Sequence, residues 1–338
     1  MKFLIWGAGA IGGTVGAYLA RAGHDVTVVD QVAEHVAAIK SNGIQITGPI
    51  DTFRVEVPAF TPAELSGTYP VILLCTKAQH TREAALALVP HLAEHGYVVS
   101  VQNGLNEILI AEIAGSERTV GAFVNFGADY LEPGLIHFAG RGAVVLGEID
   151  GQVIPRIQAL HRAFLDFDEN AIVTNNIWGY LWSKLAYGAM LFVTALTNDS
   201  IADALADPAY RSTYAAIARE VLAVALAVGV EPEAFNGFDP NAFLPGTDPV
   251  VTAHSMDEMV AFNRRSAKTH SGIWRDLAVR KRRTERDMYA LVESEAKRLD
   301  VPTQLTGCML QLVEQIEEGQ RTLSRENLDL LMAALDEH

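Results

Sequence analysis

The apolar run Lys2–Trp6 (KFLIW) passes directly into GAGAIGG, which sets glycines at the spacing G-x-G-x-x-G in Gly7, Gly9 and Gly12. A helical pattern follows from Ile11 to about Ala22, Gly23 stands where a helix-ending glycine would, and HDVTVVD reads as a second strand closed by Asp30. The glycine spacing alone is weak evidence. In the order strand, tight turn, helix, strand, terminal acid, within about thirty residues, it marks a dinucleotide-binding βαβ unit. Gly7 makes the turn, Gly9 lets the backbone approach a pyrophosphate, and Gly12 lets the helix pack close on the sheet. The expected cofactor-binding turn is thus Gly7, Ala8, Gly9, Ala10, Ile11 and Gly12, with the unbonded N–H groups and positive end of the helix offered to phosphate. A carboxylate at Asp30 accepts from both ribose hydroxyls and repels a 2′-phosphate, which favours NAD(H) over NADP(H). The residues after it, Gln31, Val32 and Ala33, bring no arginine to offset that repulsion.

Strands and helices keep alternating. PVILLCTK (Pro70 to Lys77) is a buried strand ending in Thr76 and Lys77, a helix spans about Thr81 to His91, and YVVSVQNG ends at Asn103. In an open parallel sheet ligands bind at the carboxyl ends of strands, so Thr76, Lys77 and Asn103 join the expected cofactor site. RTVGAFVNFGA is a further strand, and GLIHFAGRGAVVLGE (Gly134 to Glu148) reads as a hairpin or meander finishing the domain.

From Ile177 on the pattern is almost wholly helical, with helices expected at about Ile177 to Leu196, Tyr210 to Ala227, Met256 to Ala267, Glu285 to Leu299 and Leu305 to Glu318. The fold class is therefore α/β, with a doubly wound Rossmann domain over 1–175 and an all-α substrate and dimerisation domain over 176–338. A chain of 338 residues is comfortable for two such cores. Within the first of these helices, WGYLWSKLAYGAMLF carries one charge, Lys184. Lysine is rarely buried unless paired, so this ammonium either snorkels to water or has a task.

The formal net charge of −15 argues against nucleic acid as the main partner. Two cysteines, Cys75 and Cys308, form neither a metal-ligand spacing nor a disulfide framework, which fits a reducing cytoplasm. No apolar run is long enough to span a bilayer. The opening MKFLIWGAGAIGG has the look of a secretion signal, but the same residues are better explained as strand and turn.

The motifs GAGAIG, CTKA around Lys77, QNGL around Asn103, PGLIHFAGRG around His137, LWSKLAYG around Lys184 and HSGIWRDL…RRTERD ending in Glu285 together resemble the ketopantoate reductase (2-dehydropantoate 2-reductase) family, over nearly the whole chain. The resemblance implies a Rossmann domain joined to a helical domain, an active site between them, a cytoplasmic enzyme of pantothenate biosynthesis, and NADP(H) as the usual cofactor. It makes Lys184 the catalytic lysine and Glu285 the glutamate that closes the site beside the cofactor. Ser271 becomes a substrate contact, Asn103 a contact to both cofactor and substrate, and Lys77 a cleft lysine. The implied reaction reduces a 2-oxo acid to a 2-hydroxy acid. An ammonium aimed at the carbonyl oxygen then stabilises the developing charge and delivers the proton. Burial among Trp182, Tyr187 and Leu191 would lower the lysine pKa, and Glu285 nearby would oppose that.

The chain also departs from the family. Asparagines that bind ketopantoate give way here to Gly188, a residue near Leu191 or Phe192, Ile201 and Lys268, so a bulkier or more apolar substrate is expected. Asp30 runs against the family's NADPH. An NAD-dependent D-2-hydroxyacid dehydrogenase for such an apolar substrate is the alternative enzyme. A lactate-type mechanism needs a His–Asp pair, for which His137 has no obvious acid in the sequence. A non-catalytic NAD-sensing protein would need neither Lys184 nor Glu285. The apolar stretch LFVTAL (Leu191 to Leu196) is expected to be exposed and to join two copies in a homodimer; no metal is expected.

Overall fold

The computed structural model describes residues 1–336. The chain divides into two compact units, Met1–Ile177 and the residues from Trp178 on.

The first unit is built on an eight-stranded sheet of order β12-β11-β8-β7-β6-β1-β2-β5. Its strands are β1 (Lys2–Trp6), β2 (Asp25–Val29), β5 (Ala59–Phe60), β6 (Tyr69–Leu74), β7 (Leu92–Ser100), β8 (Thr119–Val124), β11 (Val144–Glu148) and β12 (Ile172–Val173). From β5 to β8 all pairings are parallel, and β11 then runs antiparallel to β8. The helices are α1 (Ala10–Arg21), α2 (Ala33–Asn42), α3 (Thr81–Leu88), α4 (Asn106–Ala114) and α5 (Pro155–Phe164). β1 lies between β2 and β6, so the winding reverses direction at β1, the point where open α/β sheets open a ligand crevice.

A second sheet, of order β4-β3-β10-β9, was not anticipated. It joins β3 (Ile44–Thr47), β4 (Phe53–Val55), β9 (Gly127–Glu132) and β10 (Leu135–Gly140). The expected hairpin or meander over Gly134 to Glu148 is corrected accordingly. The hairpin is β9–β10, one strand earlier, and β11 leaves it to rejoin the main sheet beside β8. The physical consequence falls on α1, which packs against both sheets. A Cβ on Gly16 would stand 3.0 Å from Ile5 of the main sheet, and one on Gly13 would stand 2.3 Å from Ile136 of the second. Three helical glycines cost about 1 kcal/mol each relative to alanine, and close packing on two sides offsets that.

The second unit contains α6 (Ile177–Thr194), α7 (Ile201–Ala206), α8 (Arg211–Ala227), α9 (Pro249–Arg264), α10 (Gly272–Trp274), α11 (Ala290–Leu299), α12 (Gln304–Glu317) and α13 (Glu326–Asp336). The helix expected from Glu285 begins at Ala290, preceded by a single turn over Arg286–Tyr289. The carboxylate of Glu220 in α8 caps α12, accepting from the Leu305 and Thr306 N–H groups at 2.9 and 2.7 Å. The stretch Leu191 to Leu196 is not an exposed surface: Phe192, Val193, Ala195 and Leu196 are fully buried in the unit's core. Among the described residues no helix is long and apolar enough to cross a membrane.

Candidate active site

Because β1, β2, β6 and β7 are parallel, their carboxyl ends share one edge, and this edge carries Gly7, Asp30, Thr76, Lys77 and Asn103. Gly7 has φ +99°, a conformation that L side chains rarely adopt. A Cβ on Gly12 would sit 2.1 Å from the Gly7 oxygen, so the first turn of α1 tolerates no side chain there. Gly9 is different: a Cβ on it meets nothing within 4 Å. The middle glycine of the turn thus faces open space, and the α1 N-terminus behind it begins its own bonding only at Gly13 N–H, which donates to Gly9 O at 2.8 Å. Open space before the first N–H groups of a helix is the shape a pyrophosphate needs. These residues fit a dinucleotide.

Asp30 is half-buried and held at both oxygens. Oδ2 accepts from Ala8 N–H and Oδ1 from Val32 N–H, each at 3.0 Å. Each oxygen keeps a further lone pair. Along the same edge, Gln102 Nε2 donates to Thr76 O at 2.9 Å and to Thr81 Oγ1 at 2.9 Å. Thr81 donates in turn to Asn106 Oδ1 at 2.9 Å, and Asn106 Nδ2 to Asn103 O at 2.6 Å. This relay ties the loops after β6 and β7 together and fixes the backbone of Asn103, whose side chain is exposed. Sequence reading passed over Gln102, Thr81 and Asn106; the Gln before Asn103 was in view within YVVSVQNG, but its partners lie in another loop.

In the second unit Lys184 does not lie in a buried pocket. Trp182 and Tyr187 of α6 are buried at 4% and 6% exposure. Lys184 belongs to a half-exposed stripe with Tyr180, Gly188 and Leu191, the i, i+4, i+8, i+11 row of a helix whose other residues, Trp178 apart, are buried. The expected burial among Trp182, Tyr187 and Leu191 is therefore replaced by a partly open row. Burial first, against a bond from Asn263 Nδ2 at 3.0 Å, raises the hydroxyl of Tyr187 to about 12.

Glu285 is half-exposed in a segment anchored on both sides. Thr284 N–H and Oγ1 donate to Glu317 Oε1 at 2.7 and 2.6 Å. Arg286 bridges Glu317 and Glu314 of α12. Four residues on, buried Tyr289 donates to Leu185 O of α6 at 2.8 Å. The turn bearing Glu285 is thereby docked on the helix bearing Lys184. Ser271 is 4% exposed and caps α10, its Oγ accepting from Trp274 N–H at 3.1 Å. His137 lies in β10 of the second sheet, directly opposite Asp129 of β9, an acid the sequence did not reveal as its neighbour. Among the described residues no cluster of His, Cys, Asp and Glu could hold a metal ion.

Sequence profiles of the ketopantoate reductase PanE/ApbA family match this chain over residues 3–151, and of its C-terminal domain over 176–317. The chain belongs to the ketopantoate reductase family. A 2-dehydropantoate 2-reductase of Pyrococcus horikoshii is 32% identical over 54% of this chain; the chain spans only 60% of that relative's length. A PanE/ApbA family ketopantoate reductase from Ralstonia eutropha JMP134 is 28% identical, covers 95% of this chain and 99% of its own, and superposes with a TM-score of 0.76. The fold of a D-mandelate dehydrogenase, solved with NADH and anilino(oxo)acetate, is similar with a TM-score of 0.81 at 23% identity, over 95% and 100% of the two chains. The positions for which the resemblance implied family asparagines have these surroundings in the structure. A Cβ on Gly188 would lie 3.1 Å from Tyr289 Oη and 3.7 Å from Met288 Cε, so the space of a side chain at 188 is taken by Tyr289 and Met288. Ile201 is buried at the start of α7, and Lys268 is half-buried.

Proposed function

We propose that the chain is an NAD(P)H-dependent reductase of a 2-oxo acid, 2-dehydropantoate 2-reductase-like, with Lys184 as general acid, and that it prefers NADH. The observation that carries the reading is Lys184: the one charge of α6, on that helix's half-exposed row, beside a segment that holds Glu285. When bound, a reduced nicotinamide supplies the hydride. The turn Gly7–Gly12 binds the pyrophosphate through its backbone N–H groups, Asp30 takes the ribose, and Thr76, Lys77 and Asn103 line the approach. The Lys184 ammonium stabilises the charge growing on the carbonyl oxygen and gives it a proton. Glu285 orients the bound groups, and Ser271 keeps its O–H proton for a substrate carboxylate while its oxygen caps α10. The occupation of the space beside Gly188 by Tyr289 and Met288, where the resemblance implies an asparagine, supports a 2-oxo acid lacking the polar arm of ketopantoate, a bulkier or more apolar one.

The reduced cysteines Cys75 and Cys308 support a cytoplasmic setting. A homodimer is proposed through exposed apolar side chains of the second unit such as Val250 and Leu226, since Leu191 to Leu196 is core. A single 36.6 kDa species in sedimentation at micromolar concentration would sink the dimer. The deciding experiment for activity follows NADH and NADPH oxidation with a panel of aliphatic and aromatic 2-oxo acids, 2-dehydropantoate among them. Turnover with at least one is expected; binding of NADH without turnover of any would leave a non-catalytic NAD-sensing protein.

A further inference from the structure

Ala8 sits between two glycines of the cofactor turn, where the backbone has most freedom. Yet both of its peptide groups are pinned. Its N–H donates to Asp30 Oδ2 at 3.0 Å. Its C=O is 2.9 Å from Nε2 of His35, a side chain of α2 that is 1% exposed. The other ring nitrogen, Nδ1, is 3.0 Å from the N–H of Gly134, which precedes β10. A carbonyl only accepts and an amide N–H only donates, so these two partners fix the ring as the neutral tautomer with its proton on Nε2. The ring is further held edge-on against Tyr130 of β9, with centroids 5.0 Å apart.

We propose that His35 is a positioning residue for cofactor binding: it fixes the Ala8 peptide, and with it the direction of the Gly9 N–H, by spanning from the second sheet to the glycine turn. In a trans peptide the C=O and the following N–H point in opposite directions. Holding Ala8 O on His35 therefore turns Gly9 N–H the other way, away from the imidazole, and a Cβ on Gly9 meets nothing within 4 Å. Ala8 O also lies 2.7 Å from where a Cβ on Gly13 would stand, so the second glycine of GG makes room for the clamped carbonyl. The second sheet thereby acquires a role beyond covering α1: it supplies the far anchor of the clamp through Gly134. This inference rests on the reading that the Gly7–Gly12 turn carries the pyrophosphate.

Two substitutions separate the two ends of the clamp. In His35→Gln the amide nitrogen reaches the place of Nε2 and still donates to Ala8 O, while Gly134 N–H loses its acceptor. In His35→Asn the amide oxygen stands where Nδ1 was and still accepts from Gly134, while Ala8 O is released. Each leaves one buried backbone group unpaired, so both lower Tm by similar amounts. NADH affinity, read by fluorescence titration without substrate, should fall about tenfold in His35→Asn and stay within about threefold of wild type in His35→Gln. KM for NADH should follow, with kcat unchanged. Equal affinities in the two variants at similar Tm would overturn the clamp. Should His35→Asn fail to fold, nitrogen-15 shifts of His35 in the wild-type protein decide instead: a proton on Nδ1, or on both nitrogens, overturns it. Gly9→Val and Asp30→Ala serve as the separate control. If neither weakens NADH binding, the turn is not the dinucleotide site; if both do while His35→Asn binds as wild type, the clamp alone fails.

Discussion

The Tyr289 hydroxyl donates to the main-chain oxygen of Leu185 across 2.8 Å, one residue beyond Lys184 and at the level of Gly188. The contact is fully buried, with Tyr289 at 0% exposure. It is the point at which the Glu285 turn meets α6. Tyr289→Phe removes the bond but keeps the ring, and should cost about 1 kcal/mol of stability. If the docking also sets Glu285, kcat should drop several-fold with KM for NADH unchanged. Gly188→Asn, the residue type that the sequence resemblance implies at this position, brings its Cβ to 3.1 Å from the Tyr289 oxygen and forces that ring to move. It should lower Tm, and Gly188→Asn with Tyr289→Phe should recover part of the loss. Thermal melts of the three variants test this.

Lys184 and Glu285 are separated by kinetics. Lys184→Ala should cut kcat by about 10²–10⁴, the range for loss of a general acid, and leave NADH affinity nearly unchanged. If Glu285 mainly orients bound groups, Glu285→Ala should raise KM along with lowering kcat. A Lys184→Ala enzyme with wild-type kcat would make this lysine a half-exposed surface charge and nothing more.

Asp30 holds two backbone N–H groups and is proposed to hold the ribose as well. Wild type should show a lower KM for NADH than for NADPH. Asp30→Ala should narrow that gap by removing the repulsion toward a 2′-phosphate, and Asp30→Arg should narrow it further or reverse it. Both also free the Ala8 N–H, so absolute NADH affinity should fall. Tighter NADPH in the wild type would show that the carboxylate serves the turn alone.

The glycine turn, the first βαβ unit and the helical second half were legible because each rests on local spacing: glycines within six residues, an acid at a strand end, apolar positions at helical period. The second sheet was not. Its strands are as short as three residues, FRV in β4, and β3 pairs in parallel with β10, far along the chain. No local pattern encodes such a pairing. Lys184 was visible as a lone charge, but its orientation depends on which row of α6 is left open, and that is decided by neighbours from other helices. Tyr289 and Leu185 are 104 residues apart, and a hydroxyl bonding to a main-chain oxygen leaves no trace in the identity of its acceptor. His35 left no sign for the same reason, since both of its partners are main-chain groups.

Two buried tyrosines give each unit its own alkaline probe. Burial raises the hydroxyl of Tyr97, in β7 of the first unit, to about 12, with the Arg156 charge pulling it down and Glu148 pushing it up. Burial likewise raises Tyr187, in α6 of the second unit, to about 12. An unfolded tyrosine ionises near 10.0. Below that pH both states keep the proton and the full stability is present. As pH climbs further, the unfolded chain releases protons that the folded chain retains, so the unfolded state gains and stability falls until the folded hydroxyl ionises as well. A two-unit difference corresponds to about 2–3 kcal/mol per tyrosine. Melts between pH 9 and 12 should show Tm dropping steeply above about pH 10, and the ultraviolet ionisation band of these tyrosines should appear only as each unit opens. Tyr97→Phe should lessen that drop for the first unit, and Tyr187→Phe should remove only its own share for the second, where burial also raises Tyr214 and Tyr289. Near neutral pH Tyr187→Phe should still lose about 1 kcal/mol, because Asn263 Nδ2 then lacks the acceptor it has at 3.0 Å. A Tm profile that stays level through pH 11 in the wild type would show that neither hydroxyl resists ionisation as its burial demands.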